Sequence, residues 1–229
     1  MAGFDPGFCV SGVFIQELKN RFLCEVLIHG LQETCYVPSS CHLANFLHLE
    51  GKPVLLTKNQ NINSRTRYAL LACNYKHSYI ILKPSIANRV IEAEIGRRIF
   101  SFLGSRKQIL REHTIDDYKS DLYINDTDTI VEIKSVISCE KTAVFPTVYS
   151  ERTLKQLLQI EDRLEKGRRV CLLIVALNPY IRNVQINKGS ELSNTLQRCI
   201  SKGLSLHAFS CRLEKEKGVY IDKSLKIFM

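Results

Sequence analysis

Three residues near the middle of the chain, Asp121, Glu132 and Lys134, have the types and the spacing to work on a phosphate ester. They lie in the stretch SDLYINDTDTIVEIKSV at 120–136. Alternate side chains of a strand share a face, so Glu132 and Lys134 point one way while Val131 and Ile133 point the other. If SDLYI and TIVEIK form a hairpin that turns through NDTD, Ile124 falls opposite Thr129 and Leu122 opposite Val131. One pair further along, Asp121 falls opposite Glu132, with their Cβ atoms roughly 5 Å apart. Two carboxylates that close repel each other unless positive charge lies between them. A hard divalent cation, Mg²⁺ or Mn²⁺, suits their oxygens better than zinc. Lys134 could orient a water and help deprotonate it, or stabilise charge growing on a phosphate. The same residues allow a plainer reading, in which Glu132 pairs with Lys134 and Asp121 is a solvated residue at a strand start.

The elements that must position this trio are legible on either side of it. Pro84 opens a helical pattern in SIANRVIEAEIGRRIFSFLG, where Ile86, Val90, Ile91, Ile95, Ile99 and Phe100 recur at three and four residues and Gly104 is the stop signal. After the hairpin come a helix from about Ser150 to Lys166, an apolar strand VCLLIVAL at 170–177, a helix near 190–202 and a short strand LSLHAF. Strands alternating with helices predict an α/β domain with a central mixed sheet and helices on both faces. Residues 12–83 instead read as short strands punctuated by Gly, Asn, Ser and Pro, the pattern of a small antiparallel barrel, with a five-stranded OB-like fold as the candidate. The boundary is placed near 83/84, giving domains 1–83 and 84–229.

Charge points to the class of partner. Lys and Arg number 32 against 23 acids in 229 residues, a formal +9, split as about +3 before residue 84 and about +6 after it. Such an excess favours a polyanion. Arg21, Lys58, Arg65 and Arg67, with Phe22, Tyr68 and Tyr75, supply the mixture of cations and aromatics with which an OB-like sheet tracks nucleic acid. Arg152 and Lys155, three apart on the predicted helix, share a face that could meet backbone phosphate, although Glu151 and Lys155 also form an ordinary i,i+4 pair. The six histidines show no metal-ligand spacing, and His113, just before the hairpin, is read as structural. The nine cysteines contain no C-x-x-C and read as small buried hydrophobes in a reducing cytoplasm. No apolar run reaches the length of a membrane span, and the first ten residues do not resemble a signal peptide, so a soluble cytoplasmic protein is expected.

With these elements in place the chain resembles the sugar fermentation stimulation protein A (SfsA) family over nearly its full length. The likeness rests on NRFLCEV at 20–26, SRTRY at 64–68, ANRVIEAEI at 87–95, SDLYI…VEIKSV at 120–136 and FPTVYSERTLKQL at 145–157. It implies an N-terminal OB-fold joined to a nuclease domain of the PD-(D/E)xK, restriction-endonuclease-like class, with Asp121, Glu132 and Lys134 as metal-binding and catalytic residues. It also implies a further acid from the preceding helix, met here by Glu92 or, one helical position off the pattern, Glu94. Neighbouring helix positions differ by about 100° in direction, so at most one of the two faces the metal. The chain departs from the family pattern where F-P-D-A and R-G-x-K-H become Phe145-Pro146-Thr147-Val148 and Arg152-Thr153-Leu154-Lys155-Gln156, and where C-P-N-T-G becomes VPSSC at 37–41. The resulting expectation is a Mg²⁺- or Mn²⁺-dependent nuclease acting on DNA and/or RNA. Cutting both strands of a duplex would favour a homodimer. The alternative is a non-catalytic DNA-binding protein with a regulatory role.

Overall fold

Alternating apolar and polar residues in the first third fold into six strands: β1 (Cys9–Glu17), β2 (Leu23–Ile28), β3 (Leu31–Tyr36), β4 (Pro53–Lys58), β5 (Tyr68–Tyr75) and β6 (Ser78–Ile81). The computed structural model describes residues 3–7, 9–39, 42–45, 47–59, 63–147 and 150–229. The strand order is β3-β2-β1-β4-β5-β6, and a parallel contact of Tyr36 with Ala69 brings β3 against β5. The first five strands thus close into the expected OB-like barrel around Phe14, Val26, Leu56 and Leu70, and β6 extends it by a hairpin from β5.

Next come α1 (Ile86–Glu94), β7 (Ile109–Arg111), the short hairpin β8 (Thr114–Ile115) and β9 (Tyr118–Lys119), and the hairpin β10 (Leu122–Ile124) and β11 (Thr129–Val136). They are followed by β12 (Thr142–Phe145), α2 (Glu151–Glu165), β13 (Arg169–Ala176), β14 (Asn183–Ile186) and α3 (Glu191–Ser201). β15 (Ser205–Glu214), β16 (Gly218–Ser224) and β17 (Lys226–Phe228) complete the chain. The central sheet runs β16-β15-β13-β11-β10-β7, with β11, β13 and β15 parallel and the outer pairs antiparallel, so it is mixed as expected. A parallel strand covered on both faces needs an unbroken apolar run, and β13 supplies it. Cys171, Leu173 and Val175 pack toward α1, and Val170, Leu172 and Ile174 toward α2 and α3. Ser150 caps α2 by accepting from Thr153 N, and Ser190 with Ser193 forms a capping box on α3.

The chain departs from the sequence reading in three places. The helix expected over 85–104 is two pieces. α1 ends at Glu94, Gly96 follows, Arg97 is extended (ψ 154°), and a 3₁₀ turn covers Arg98–Leu103. Ile95, Phe100 and Leu103 still enter the same core, so a bent path satisfies the apolar spacing that suggested one helix. β12, β14 and β17 form a separate parallel sheet that their short, mixed sequences did not announce. The first residues also leave the barrel. Phe4 exchanges both backbone hydrogen bonds with Val219 on β16, in a contact so close that a Cβ on Gly3 would lie 2.3 Å from the Val219 carbonyl oxygen. Leu55, Leu71, Ala72 and Ile81 of the barrel share a core with α1 and the central sheet, and Ile81 N donates to Leu177 O at 2.9 Å. Among the described residues no helix is long and apolar enough to cross a membrane. Six of the described cysteines are buried, as expected of small hydrophobes, and burial pushes Cys171 up to about 12; Cys41 lies outside the described residues.

Candidate active site

The hairpin takes the register expected from its sequence: Leu122 pairs with Val131, Tyr123 with Ile130 and Ile124 with Thr129. Leu122, Ile124, Val131 and Ile133 all enter the core beneath α1, which leaves Glu132 and Lys134 on the opposite face. The acids of the NDTD turn are structural. Asp126 accepts the amides of Lys107 and Gln108, and Asp128 accepts the Tyr123 hydroxyl and Arg168. The ladder stops at Leu122, however, so Asp121 is not a register partner of Glu132. β11 runs on past that point, and the Ile133 amide it leaves free donates to Asp121 Oδ2 at 2.8 Å. Asn88 of α1 donates to Asp121 Oδ1, also at 2.8 Å. Strand β11 and helix α1 therefore fix both oxygens of this carboxylate.

Glu132 is 1 % exposed. Its Oε1 accepts Lys134 Nζ at 2.5 Å and its Oε2 accepts the Tyr118 hydroxyl at 2.6 Å. Burial pushes its carboxyl above the ordinary range, the Lys134 ammonium opposes that rise, and the charge of Asp121 adds to it. Burial, reinforced by the charge of Glu132, raises the Tyr118 phenol, which therefore stays a donor. Lys134 makes a second bond, to Gln156 Oε1 at 2.8 Å. Gln156 stands where the family pattern has histidine, which was the sequence signal for its place; Tyr118 gave none.

Asp121, Glu132, Lys134 and Gln156 floor a cleft of about 1190 Å³ between the barrel and the second domain. Its wall carries Lys58 from the barrel, Lys83 from the junction, Arg89, Arg111 and Arg152, together with Glu92. Glu92 lies 3.2 Å from Arg111 and 3.9 Å from Arg89, so its carboxylate is shared between two arginines. Glu94 turns the other way: 5 % exposed, it accepts the Ile221 amide of edge strand β16 at 2.6 Å and Arg97 at 2.8 Å. Of the two candidate acids only Glu92 therefore faces the cleft, as the angular argument required.

The predicted nucleic-acid contacts divide. Lys58 and Arg152 line the cleft, whereas Lys155, Arg21, Arg65 and Arg67 are exposed outside it. On α2 the cleft side is that of Arg152, Thr153 and Gln156, because burial of Leu154, Leu157 and Ile160 sets the rotation and leaves Lys155 on the outer flank. Arg21 lies over the Phe22 ring at 4.9 Å and Arg67 over Tyr68 at 5.3 Å, pairings that leave these cations on the barrel surface. His113 stacks on Tyr123 at 5.1 Å, a structural contact. Val148 and Tyr149 of the FPTVY segment lie outside the described residues.

Two fixed carboxylates, one buried in surroundings that disfavour its charge, suit a single hard cation. Among the described residues no three acidic, histidine or cysteine side chains gather closely enough to cage an ion. A small cation such as Mg²⁺ asks only one or two carboxylates of the protein and fills its octahedron with water and substrate phosphate, so the donor set fits. Asp121 and Glu132 are the residues that would hold it.

Comparison with known proteins agrees with this architecture. The family model of the sugar fermentation stimulation protein RE domain matches residues 85–217, and that of the SfsA N-terminal OB domain matches residues 18–82. A sugar fermentation stimulation protein homolog from Alkaliphilus oremlandii is 25 % identical over 93 % of this chain and 94 % of its own length. One from Clostridium kluyveri is 28 % identical over 72 % of this chain and 73 % of its own. The solved structure of Pyrococcus furiosus SfsA in complex with Ca²⁺ has the same fold, with a TM-score of 0.85 at 18 % identity and full coverage of both chains. With both domains matched in order and relatives aligned along most of its length, the chain belongs to the SfsA family.

Proposed function

We propose that the chain is a divalent-metal-dependent nuclease that hydrolyses phosphodiester bonds of DNA and/or RNA. The observation that carries this reading is the convergence of Asp121, Glu132 and Lys134 at the floor of a cleft whose wall bears Lys58, Lys83, Arg89, Arg111 and Arg152. Those cations come from both domains, and they would hold the sugar-phosphate backbone across the acids. The Ca²⁺ held by the Pyrococcus protein supports a divalent cation here as well, with Mg²⁺ or Mn²⁺ as the working ion.

Asn88 and the Ile133 amide hold Asp121 in place, so its outward lone pairs are set before any substrate arrives. Lys134 sits at Glu132 Oε1 and can turn from it toward a water or a phosphoryl oxygen, with Gln156 limiting its swing. Glu92 steadies Arg89 and Arg111 on the wall, where they would oppose the charge that grows on the phosphate. A bound divalent ion supplies polarisation of the phosphoryl oxygen and a water of lowered pKa.

The test is cleavage of labelled single-stranded and duplex DNA and RNA with Mg²⁺, Mn²⁺ or EDTA, run beside Glu132→Ala and Lys134→Ala. Cutting that needs the metal and is lost in both variants, with binding retained, is the expected result. Full cutting in EDTA or in either variant overturns the proposal. Binding without cutting by the wild type would instead favour the regulatory DNA-binding reading.

A further inference from the structure

Tyr118 is a buried ionisable residue that the proposed chemistry leaves without a task. It is 2 % exposed and packs in the layer under α2, yet its hydroxyl is spent on Glu132 Oε2. A small device delivers it there. β8 and β9 pair Thr114 with Lys119 and Ile115 with Tyr118, around a two-residue turn in which Asp116 and Asp117 both have positive φ, 47° and 63°. That conformation is costly for most residues and tolerable for Asp, and it matches the tight hairpin turn that suits twisted strands. Two arginines pin it. Arg168 donates to the Asp116 carboxylate at 3.0 Å, and Arg163, 7 % exposed on α2, donates to the Asp116 carbonyl while its guanidinium lies 5.8 Å from the Tyr118 ring centroid. Arg163 Nε is buried with no hydrogen-bond partner among the described residues, a cost accepted to hold this geometry.

We propose that Tyr118 is a positioning residue that holds Glu132 Oε2 back in the protein, so that, once Lys134 turns away, the carboxylate offers the cleft Oε1 alone and the site prefers small octahedral cations to Ca²⁺. The inference rests on the reading of Asp121 and Glu132 as a divalent-cation site. Its physical basis is ligand count. Ca²⁺ takes six to eight oxygens and readily uses both oxygens of one carboxylate, whereas Mg²⁺ demands near-ideal octahedral geometry and is served by single oxygens held in place. Fixing one oxygen with a buried phenol therefore favours Mg²⁺ and Mn²⁺. Freeing it favours Ca²⁺.

The experiment is calorimetric titration of the full chain, without nucleic acid, with Mg²⁺, Mn²⁺ and Ca²⁺, in the wild type, Tyr118→Phe and Arg163→Lys. Tyr118→Phe keeps the buried ring and removes only the hydroxyl. Loss of such a supporting hydrogen bond costs about ten- to hundredfold in metal affinity. The expected result is that Mg²⁺ and Mn²⁺ affinities fall by that much while Ca²⁺ affinity falls less or rises, moving the ratio toward Ca²⁺ by about tenfold. Arg163→Lys, which loosens the hairpin and leaves the hydroxyl, should move the ratio in the same direction by less. A merely structural tyrosine would weaken all three ions equally, and equal weakening or no change overturns the inference while leaving the metal site standing. Failure of the wild type to bind any of the three overturns both.

Discussion

Glu92 and Glu94 stand two residues apart on α1 and should fail in opposite ways when truncated. Glu94→Ala removes the carboxylate that accepts the Ile221 amide on β16, where Arg97 donates to the Ile221 carbonyl. Leaving a buried amide without an acceptor costs about 1–3 kcal/mol. The lost pairing with Arg97, whose side chain is 33 % exposed, adds only ~0–1 kcal/mol after screening. A total of about 1–4 kcal/mol corresponds to a fall in thermal midpoint of roughly 2–16 °C for a chain of this size. Glu94→Gln keeps an acceptor and should lose about 1 kcal/mol. Glu92→Ala breaks only partly exposed pairs, so stability should move by ~0–1 kcal/mol. Nucleic-acid binding should not weaken in Glu92→Ala, because the cleft gains net positive charge. Turnover should fall by about tenfold, ~1.4 kcal/mol in the barrier, as Arg89 and Arg111 lose their fixed positions. Urea unfolding followed by circular dichroism gives the stabilities, and filter binding with single-turnover cleavage gives the rest. A Glu94→Ala stability within ~0.5 kcal/mol of wild type, or a Glu92→Ala loss above ~2 kcal/mol, would refute the assignment of the two acids.

Two further outcomes follow from the site. Because burial raises the Glu132 carboxyl in the folded chain, the native state binds that proton more tightly than the unfolded one, so stability declines as pH climbs from the ordinary carboxylate range through the raised value. Glu132→Gln should remove that decline, and without divalent ions its calorimetric midpoint at about pH 8 should equal or exceed that of the wild type, while cleavage is lost. Arg152→Ala should weaken binding and lower the slope of log affinity against log salt by about one, the loss of one phosphate contact. Lys155→Ala, on the outer flank of α2, should leave both unchanged, and an equal effect of the two would mean that nucleic acid runs over the helix rather than through the cleft.

Much of the fold was open to reading in one dimension because its signals are local. The barrel strands, the apolar run of β13 and the capped helices α2 and α3 each follow from periodicity and punctuation within one segment. The single helix expected over 85–104 failed because spacing reports which residues enter a core, and a bent path through Gly96 buries Ile95, Phe100 and Leu103 as well as a straight one. The short parallel sheet of β12, β14 and β17 was invisible because three or four residues carry too little pattern, and its partners lie far apart in the chain.

By itself the sequence determined the hairpin register, the face shared by Glu132 and Lys134, the cationic excess and the order of the two domains, since strand alternation, charge and turn chemistry act between near neighbours. The tertiary structure alone decided the rest. It ended the ladder at Leu122 and so handed Asp121 to the Ile133 amide and Asn88. It turned Glu92 into the cleft and Glu94 onto β16, set Arg152 inside the cleft and Lys155 outside, and brought Tyr118 to Glu132 across fourteen residues of chain. Those outcomes depend on how a helix is rotated and where a strand stops. Such choices are made by the packing of surfaces distant in sequence, which no local pattern records.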